Sequence, residues 1–197
     1  MSCQEIGSPI GNQIMKFTPP PQRSANYSTV CLLALKDVRL ERGVHQSHIA
    51  QFVGKTPSAW AKIESGQSPL LLDTLFGACL AMNINPSQFL AVVERLCQAF
   101  NYHNWYFYAA DLKGEDELLP LVQEYFASSG FENLKYRPND RLTVQTFSNT
   151  ISSMVPPTIV QYCCFPNAKE WIDNGAPVSN PANLATTASV GVHTPSI

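Results

Sequence analysis

The side chains best suited to chemistry in this 197-residue chain are six cysteines, a histidine pair and a few exposed-looking lysines and hydroxyls. His45 and His48 lie three residues apart, a spacing that lets two imidazoles on one helix face approach a metal ion. No cysteine or carboxylate joins them at a usual ligand spacing, so no metal is expected. Cys3, Cys31, Cys79, Cys97, Cys163 and Cys164 contain no C-x-x-C pair. The adjacent Cys163 and Cys164 would point to opposite faces of a strand. The start of the chain lacks a basic segment followed by an apolar run, so no secretory signal is read, reduced thiols are expected, and the location expected is cytoplasmic. Cys31, Cys79 and Cys97 fall in apolar helical patterns, where a free cysteine acts as a small hydrophobe. No nucleophile elbow, phosphate-cradling glycine loop, paired carboxylates or Ser-Lys self-cleavage arrangement is visible. The chain is therefore not expected to be an enzyme or to need a cofactor.

Composition narrows the classes further. Charged residues make up 14% of the chain, against about 25% in average soluble proteins, so uncharged polar groups must carry much of the surface. A formal charge of -2 and a pI near 6.1 exclude a globally basic nucleic-acid coat. Apolar stretches such as Phe76–Met82 fall far short of the ~18 residues of a membrane span.

The elements that must position any site are marked by punctuation. Residues 1–27 are rich in Pro, Gly, Ser, Gln and Asn and read as a flexible N-terminal arm. Residues 28–100 read as five helices: Ser28–Arg42, Gln46–Phe52, Pro57–Ser65, Leu71–Met82 and Pro86–Phe100. Gly43 supplies the positive φ that closes the first, and Gly66 stops the third. Thr56-Pro57 is an N-cap followed by proline at the first helical position, and Asn85-Pro86 repeats the device. Residues 101–172 read as a small α+β domain. Its expected elements are strands at Trp105–Ala110, Leu142–Phe147 and Thr158–Cys164, and a helix at Glu115–Ala127 ending near Gly130. Residues 173–197 read as a disordered tail. The fold class expected is mainly α, with an α+β C-terminal domain and flexible ends.

The stretch LKDVRLERGVHQSHIAQFVGKTPSAWAKIESGQSPLLLDTLFGACLAMNINPSQFL, Leu35–Leu90, resembles the helix-turn-helix domains of the Cro/XRE (phage-repressor-like) transcriptional regulators. The likeness covers residues 28–92, nearly the whole five-helix unit. It implies that Ile49, Ala50, Trp60 and Ile63 face the core, that Gly54 makes the turn, and that Leu75, Cys79, Leu80 and Ile84 cover the remaining side. His45 then falls at a helix N-cap. The third helix is implied to enter the DNA major groove, with Lys55, Thr56, Pro57, Ser58, Ala61 and Lys62 on its base-reading face. Lys62 can donate to guanine O6 or N7, and Ser58 can bond to either kind of base edge. Pro57 departs from the family's usual polar residue and has no side-chain hydrogen bond to give. Gln46, Ser65, Gln67 and Ser68 are implied to meet phosphates. Arg39 and Glu64 stand where the family has a structural salt bridge beneath the recognition helix.

Charge sets a limit on affinity. Between Ser28 and Cys97, six basic residues face five acidic ones, a surplus of one positive charge. Phosphate neutralisation supplies much of DNA affinity, so one such domain binds weakly and a homodimer on two half-sites is expected. Residues 101–172 carry five basic and eight acidic side chains, which argues against a second DNA-binding surface there. Their aromatic run Trp105, Tyr106, Phe107 and Tyr108 reads first as an ordinary buried strand, and otherwise as a ligand pocket or dimer interface. In regulators of this kind the C-terminal domain commonly oligomerises or senses an effector. The function expected is a DNA-binding transcriptional regulator, by family habit a repressor, acting on double-stranded DNA. The alternatives are a protein-interaction module, or the antitoxin of a toxin–antitoxin pair, built on the same fold with weak or no DNA reading.

Overall fold

The computed structural model describes residues 21–109, 112, 114–134 and 156–177. The strand expected at Leu142–Phe147, most of the N-terminal arm and the tail after Pro177 lie outside the described residues. Among those described, nine helices and one two-stranded sheet make a mainly α architecture. The elements run β1 (Arg23–Asn26), α1 (Tyr27–Glu41), α2 (Gln46–Phe52), α3 (Pro57–Glu64), α4 (Leu72–Ala81), α5 (Pro86–Asn101), β2 (Trp105–Tyr108), α6 (Leu118–Ala127), α7 (Ser129–Leu134), α8 (Thr158–Cys164) and α9 (Pro166–Asp173). No single described helix is long and apolar enough to cross a membrane.

The centre is α1, which buries Thr29 to Leu35 without a break, then Val38 and Arg39. A helix apolar on every side must be surrounded, and here α3, α5 and α6 pack around it. The five helices before residue 101 start and stop within a residue of the expected bounds. Gly43, Gly54 and Gly66 all take positive φ. Thr56 Oγ1 accepts from Ala59 N–H at 3.2 Å and so caps α3, with Pro57 as its first residue. Asn85 occupies the N-cap of α5, but its side chain makes no capping bond. Leu80, expected to cover a core side with Leu75, Cys79 and Ile84, is 55% exposed. The helical period of α4 turns Leu75, Ala78, Cys79 and Met82 inward and leaves Leu72 and Leu80 on the outer stripe.

Four expectations beyond the five helices are corrected. Residues Arg23–Asn26, assigned to a flexible arm, form β1, which pairs in parallel with β2 in the register Arg23↔Trp105 to Asn26↔Tyr108. A parallel pair needs a long crossover, and helices α1–α5 provide it. Thr158–Cys164 is a helix, not a strand, and its first six residues are buried. A short apolar run buried on all sides has no period to distinguish helix from strand, and here Pro157 before it and Pro166 after it set the bounds. The two cysteines at 163 and 164 are therefore neighbours on a helix rather than on opposite strand faces. Gly130 does not end α6. It lies inside α7, where an added Cβ would stand 2.1 Å from the Ile172 carbonyl oxygen, so only glycine lets α7 approach α9 this closely. Order also persists past the expected start of the tail at residue 173, since Ala176 is buried and its N–H donates to Trp171 O at 3.0 Å.

Buried side chains from both sides of residue 100 belong to one contiguous core. Phe100 meets Trp105 and Phe107 edge-on, each at 5.9 Å between ring centroids. Arg23 lies over the Trp105 ring at 5.1 Å and donates to the Cys163 carbonyl at 2.9 Å, joining β1, β2 and α8.

Candidate nucleic-acid interface

The candidate site is the outward face of α3 with the turns that flank it. Only α3's inner face has partners in the core. Trp60 is 1% exposed and Ile63 is 5% exposed, while Ile49 and Ala50 of α2 are fully buried beside them. Val53, just after α2, lies against Gly77 of α4, where an added Cβ would come within 2.8 Å of its side chain. The end of α3 is held by charge. Arg39 Nε donates to Glu64 Oε1 at 2.6 Å, and its Nη2 donates to Oε2 at 2.9 Å. Both side chains are nearly buried, at 9% and 3% exposure. Gln46 Nε2 donates to the same Glu64 Oε2 at 2.5 Å, and Arg39 Nη1 donates to the Val44 carbonyl at 3.1 Å. This four-way junction ties α1, α2 and α3 together, and a bidentate fork of this kind fixes orientation as well as distance.

The outward face carries the side chains expected to read bases. Thr56, Pro57, Ser58 and Lys62 are exposed, and Lys55 and Ala61 are half-buried. Lys55, Ser58, Lys62 and Ser68 line one open hollow of about 330 Å³ together with Ala59, Ile63, Pro69 and Leu71. Two lysines and two serines therefore line a single concavity. That chemistry suits an anion or the acceptor edge of a base.

The residues expected to meet phosphates are placed less uniformly. Gln67 is exposed. Ser68 is half-buried on the hollow, and its N–H donates to the Lys62 carbonyl at 3.0 Å. Gln46 spends one amide proton on Glu64, which leaves one for a further acceptor. Ser65 Oγ donates to the Lys62 carbonyl at 3.1 Å, so its only proton stays within α3.

His45 caps α2, accepting at Nδ1 from Ser47 N–H at 3.3 Å, with Ser47 Oγ at 2.7 Å. Among the described residues no three His, Cys, Asp or Glu side chains are grouped to hold a metal. Burial pushes the Cys31 thiol up to about 11 and those of Cys79 and Cys97 up to about 12, the condition of core thiols rather than reactive ones. In the aromatic run Trp105 is buried, Phe107 half-buried, and Tyr106 and Tyr108 are exposed, so the strand has one core face and one outer face.

Sequence reasoning missed Asp116, Leu119 and Gln123. Asp116 Oδ2 accepts from Asn26 N–H at 2.8 Å and Thr29 Oγ1 at 2.7 Å, while its Oδ1 accepts from the N–H groups of Leu118 and Leu119 at 3.0 Å. One carboxylate thus caps α6 and anchors it to the start of α1. An acidic residue just ahead of an apolar helical run was the available signal. Leu119 and Gln123 then meet the turn after α3, and nothing in the spacing of the sequence announces that contact. Comparison with protein-family models, curated proteins and solved structures finds no match to this chain.

Proposed function

We propose that this chain is a sequence-specific DNA-binding regulator in which α2 and α3 act as a helix-turn-helix and α3 enters the major groove. The observation that carries this reading is the division of labour on α3. Trp60, Ile63 and Glu64 are buried in the fold on one side, while Lys55, Ser58 and Lys62, joined by Ser68, line one open hollow on the other. In this reading Lys62 donates to guanine O6 or N7, Ser58 bonds to a base edge, and Thr56, Pro57 and Ala61 supply shape and methyl contact. Gln46, Gln67 and Ser68 hold phosphates, and Ser65 acts through its place in the turn. The surplus of one positive charge over residues 28–97 makes a single copy a weak binder, so the reading includes a homodimer on two half-sites. Repression, by the habit of the family it resembles, is the sense of regulation proposed.

The test is selection of genomic duplex fragments by the purified protein at about physiological salt, followed by sequencing. The expected result is a shared motif with two-fold symmetry and half-site centres about 34 Å apart. Lys62→Glu should abolish recovery while leaving the helical circular dichroism unchanged. Folded protein that recovers nothing above background refutes direct reading.

A second reading, a protein-interaction module, has its own support. Leu71 and Leu72, 60% and 61% exposed, stand at the edge of the same face, and such apolar neighbours suit a protein surface better than a phosphate backbone. Retention of a protein partner by wild type and by Lys62→Glu, with no DNA recovered by either, would favour it.

A further inference from the structure

The helix α6 meets the turn that follows α3 through two side chains. Gly66 ends α3 with φ +78°, and a Cβ there would stand 2.9 Å from both terminal carbons of Leu119. Gln123, one helical turn along, donates through Nε2 to the Ser65 carbonyl at 2.9 Å. Phe126, further along the same helix, receives the Lys36 ammonium over its ring at 4.4 Å, and Lys36 belongs to α1 beneath α3. The start of α6 is fixed to Asn26 and Thr29 through Asp116. The helix is therefore held at several points along its length, and Ser65 and Gly66, which begin the turn, meet its first two helical turns.

We propose that α6 is a positioning element for DNA binding: Leu119 and Gln123 set the conformation of the turn Ser65–Ser68, so affinity depends on α6 being docked. This rests on the DNA-binding reading above. Neither side chain touches DNA in the proposal; each acts through the turn. Glu124, beside Gln123, accepts a salt bridge from Lys169 of α9 at 3.0 Å, so the helix that supports the turn is also joined to the region Thr158–Asp173.

The experiment uses the full chain and two variants, Gln123→Met, which keeps length but removes the donor, and Leu119→Ala. The first arm needs no DNA. Amide hydrogen exchange is read at Gly66 and Ser68, whose N–H groups donate to Ile63 and Lys62 carbonyls, with Lys55, whose N–H donates to Ala50, as internal reference. Exchange at residues 66 and 68 should rise about fivefold or more in each variant, the loss of one modest hydrogen bond or contact, with residue 55 unchanged. In the second arm, affinity for the selected motif should fall by a similar factor. The slope of log affinity against log salt should stay the same, because no phosphate-binding cation is lost. Unchanged exchange overturns the docking role. Raised exchange with unchanged affinity overturns the link to binding. Raised exchange in a protein whose wild type binds no DNA overturns the DNA reading and this inference with it, while the seating of α6 on the turn stands as measured.

Discussion

The junction of Arg39, Glu64 and Gln46 allows a prediction in which a double substitution costs less than either of its parts. Glu64→Gln keeps the shape of the side chain but removes the charge that balances a guanidinium with 9% of its side chain exposed. Breaking a buried pair from one side typically costs about 3–5 kcal/mol, because the surviving charge keeps its desolvation penalty. Arg39→Met should cost somewhat less, about 3 kcal/mol, since Glu64 keeps the Gln46 hydrogen bond and the attraction of the nearby Lys36 ammonium. The double variant Arg39→Met/Glu64→Met removes both charges. It strands only the Gln46 amide and the Val44 carbonyl, each at about 1 kcal/mol, and apolar packing offsets part of that. Its net cost should therefore be about 1 kcal/mol. With a urea slope of about 2 kcal/mol per molar, each single variant should lower the unfolding midpoint by about 1.5 M or more and the double variant by about 0.5 M. Circular dichroism at 222 nm measures both, and the gap should persist in about 1 M salt because a buried pair is poorly screened. Single variants that shift the midpoint by less than about 0.5 M, or a double variant that shifts by the sum of the singles, would refute the claim that the charges act as one buried unit.

Three other outcomes are expected. Gly130→Ala should cost roughly 3 kcal/mol, because the obstacle at 2.1 Å is the Ile172 backbone rather than a flexible side chain; calorimetry should show a melting temperature lower by about 6–12 °C. His103 packs edge-on against Phe165 at 4.8 Å, and burial lowers its pKa below the usual 6.5. Its contribution to stability is complete above that value and is lost as pH falls through the lower folded pKa, so urea midpoints should decline more steeply below pH 6.5 in wild type than in His103→Gln. Identical profiles would contradict the assignment. Burial raises the pKa of Cys163 well above the ordinary thiol value and pushes Cys164 to about 12, as it does the core thiols. In a Cys3→Ser variant, a disulfide reagent at pH 8 should therefore label the buried Cys31, Cys79, Cys97 and Cys163 only as fast as the protein opens. Rapid stoichiometric labelling of Cys31, Cys79, Cys97 or Cys163 would show that the cores described around them are open.

What could be read from sequence followed the range of the interaction involved. Thr56-Pro57, Gly43 and Gly66 act on backbone within a turn or two, and the helices they bound lie where expected. Arg39 and Glu64 are 25 residues apart, yet meet as expected because the resemblance supplied the pairing. Neither local chemistry nor resemblance covered β1. Arg-Ser-Ala-Asn has no strand-like alternation, and its pairing with Trp105–Tyr108 becomes possible only once five helices have brought the segments together. The same holds for α8, whose β-branched and aromatic residues suit a strand but are enclosed on all sides here. Gly130 has the local character of a helix terminator, while its actual role is set by a carbonyl 42 residues away.

That contrast bears on how α3 can evolve. A helix of eight residues is too short to be stable by itself, so packing must impose its shape. Trp60, Ile63 and Glu64 do this from within, and Gly66 on Leu119 does it from the end. The side chains of Lys55, Ser58 and Lys62 are not among the buried groups that make those contacts, and all three residues line the hollow. Substitutions at Ser58 and Lys62 should accordingly change what is bound while leaving the unfolding free energy, from urea titration, within about 0.5 kcal/mol of wild type, as for most surface positions. Substitutions at Trp60, Glu64 or Leu119 should change stability or turn geometry first, and binding only as a consequence. Measured together, the two sets separate the surface that recognises from the scaffold that presents it.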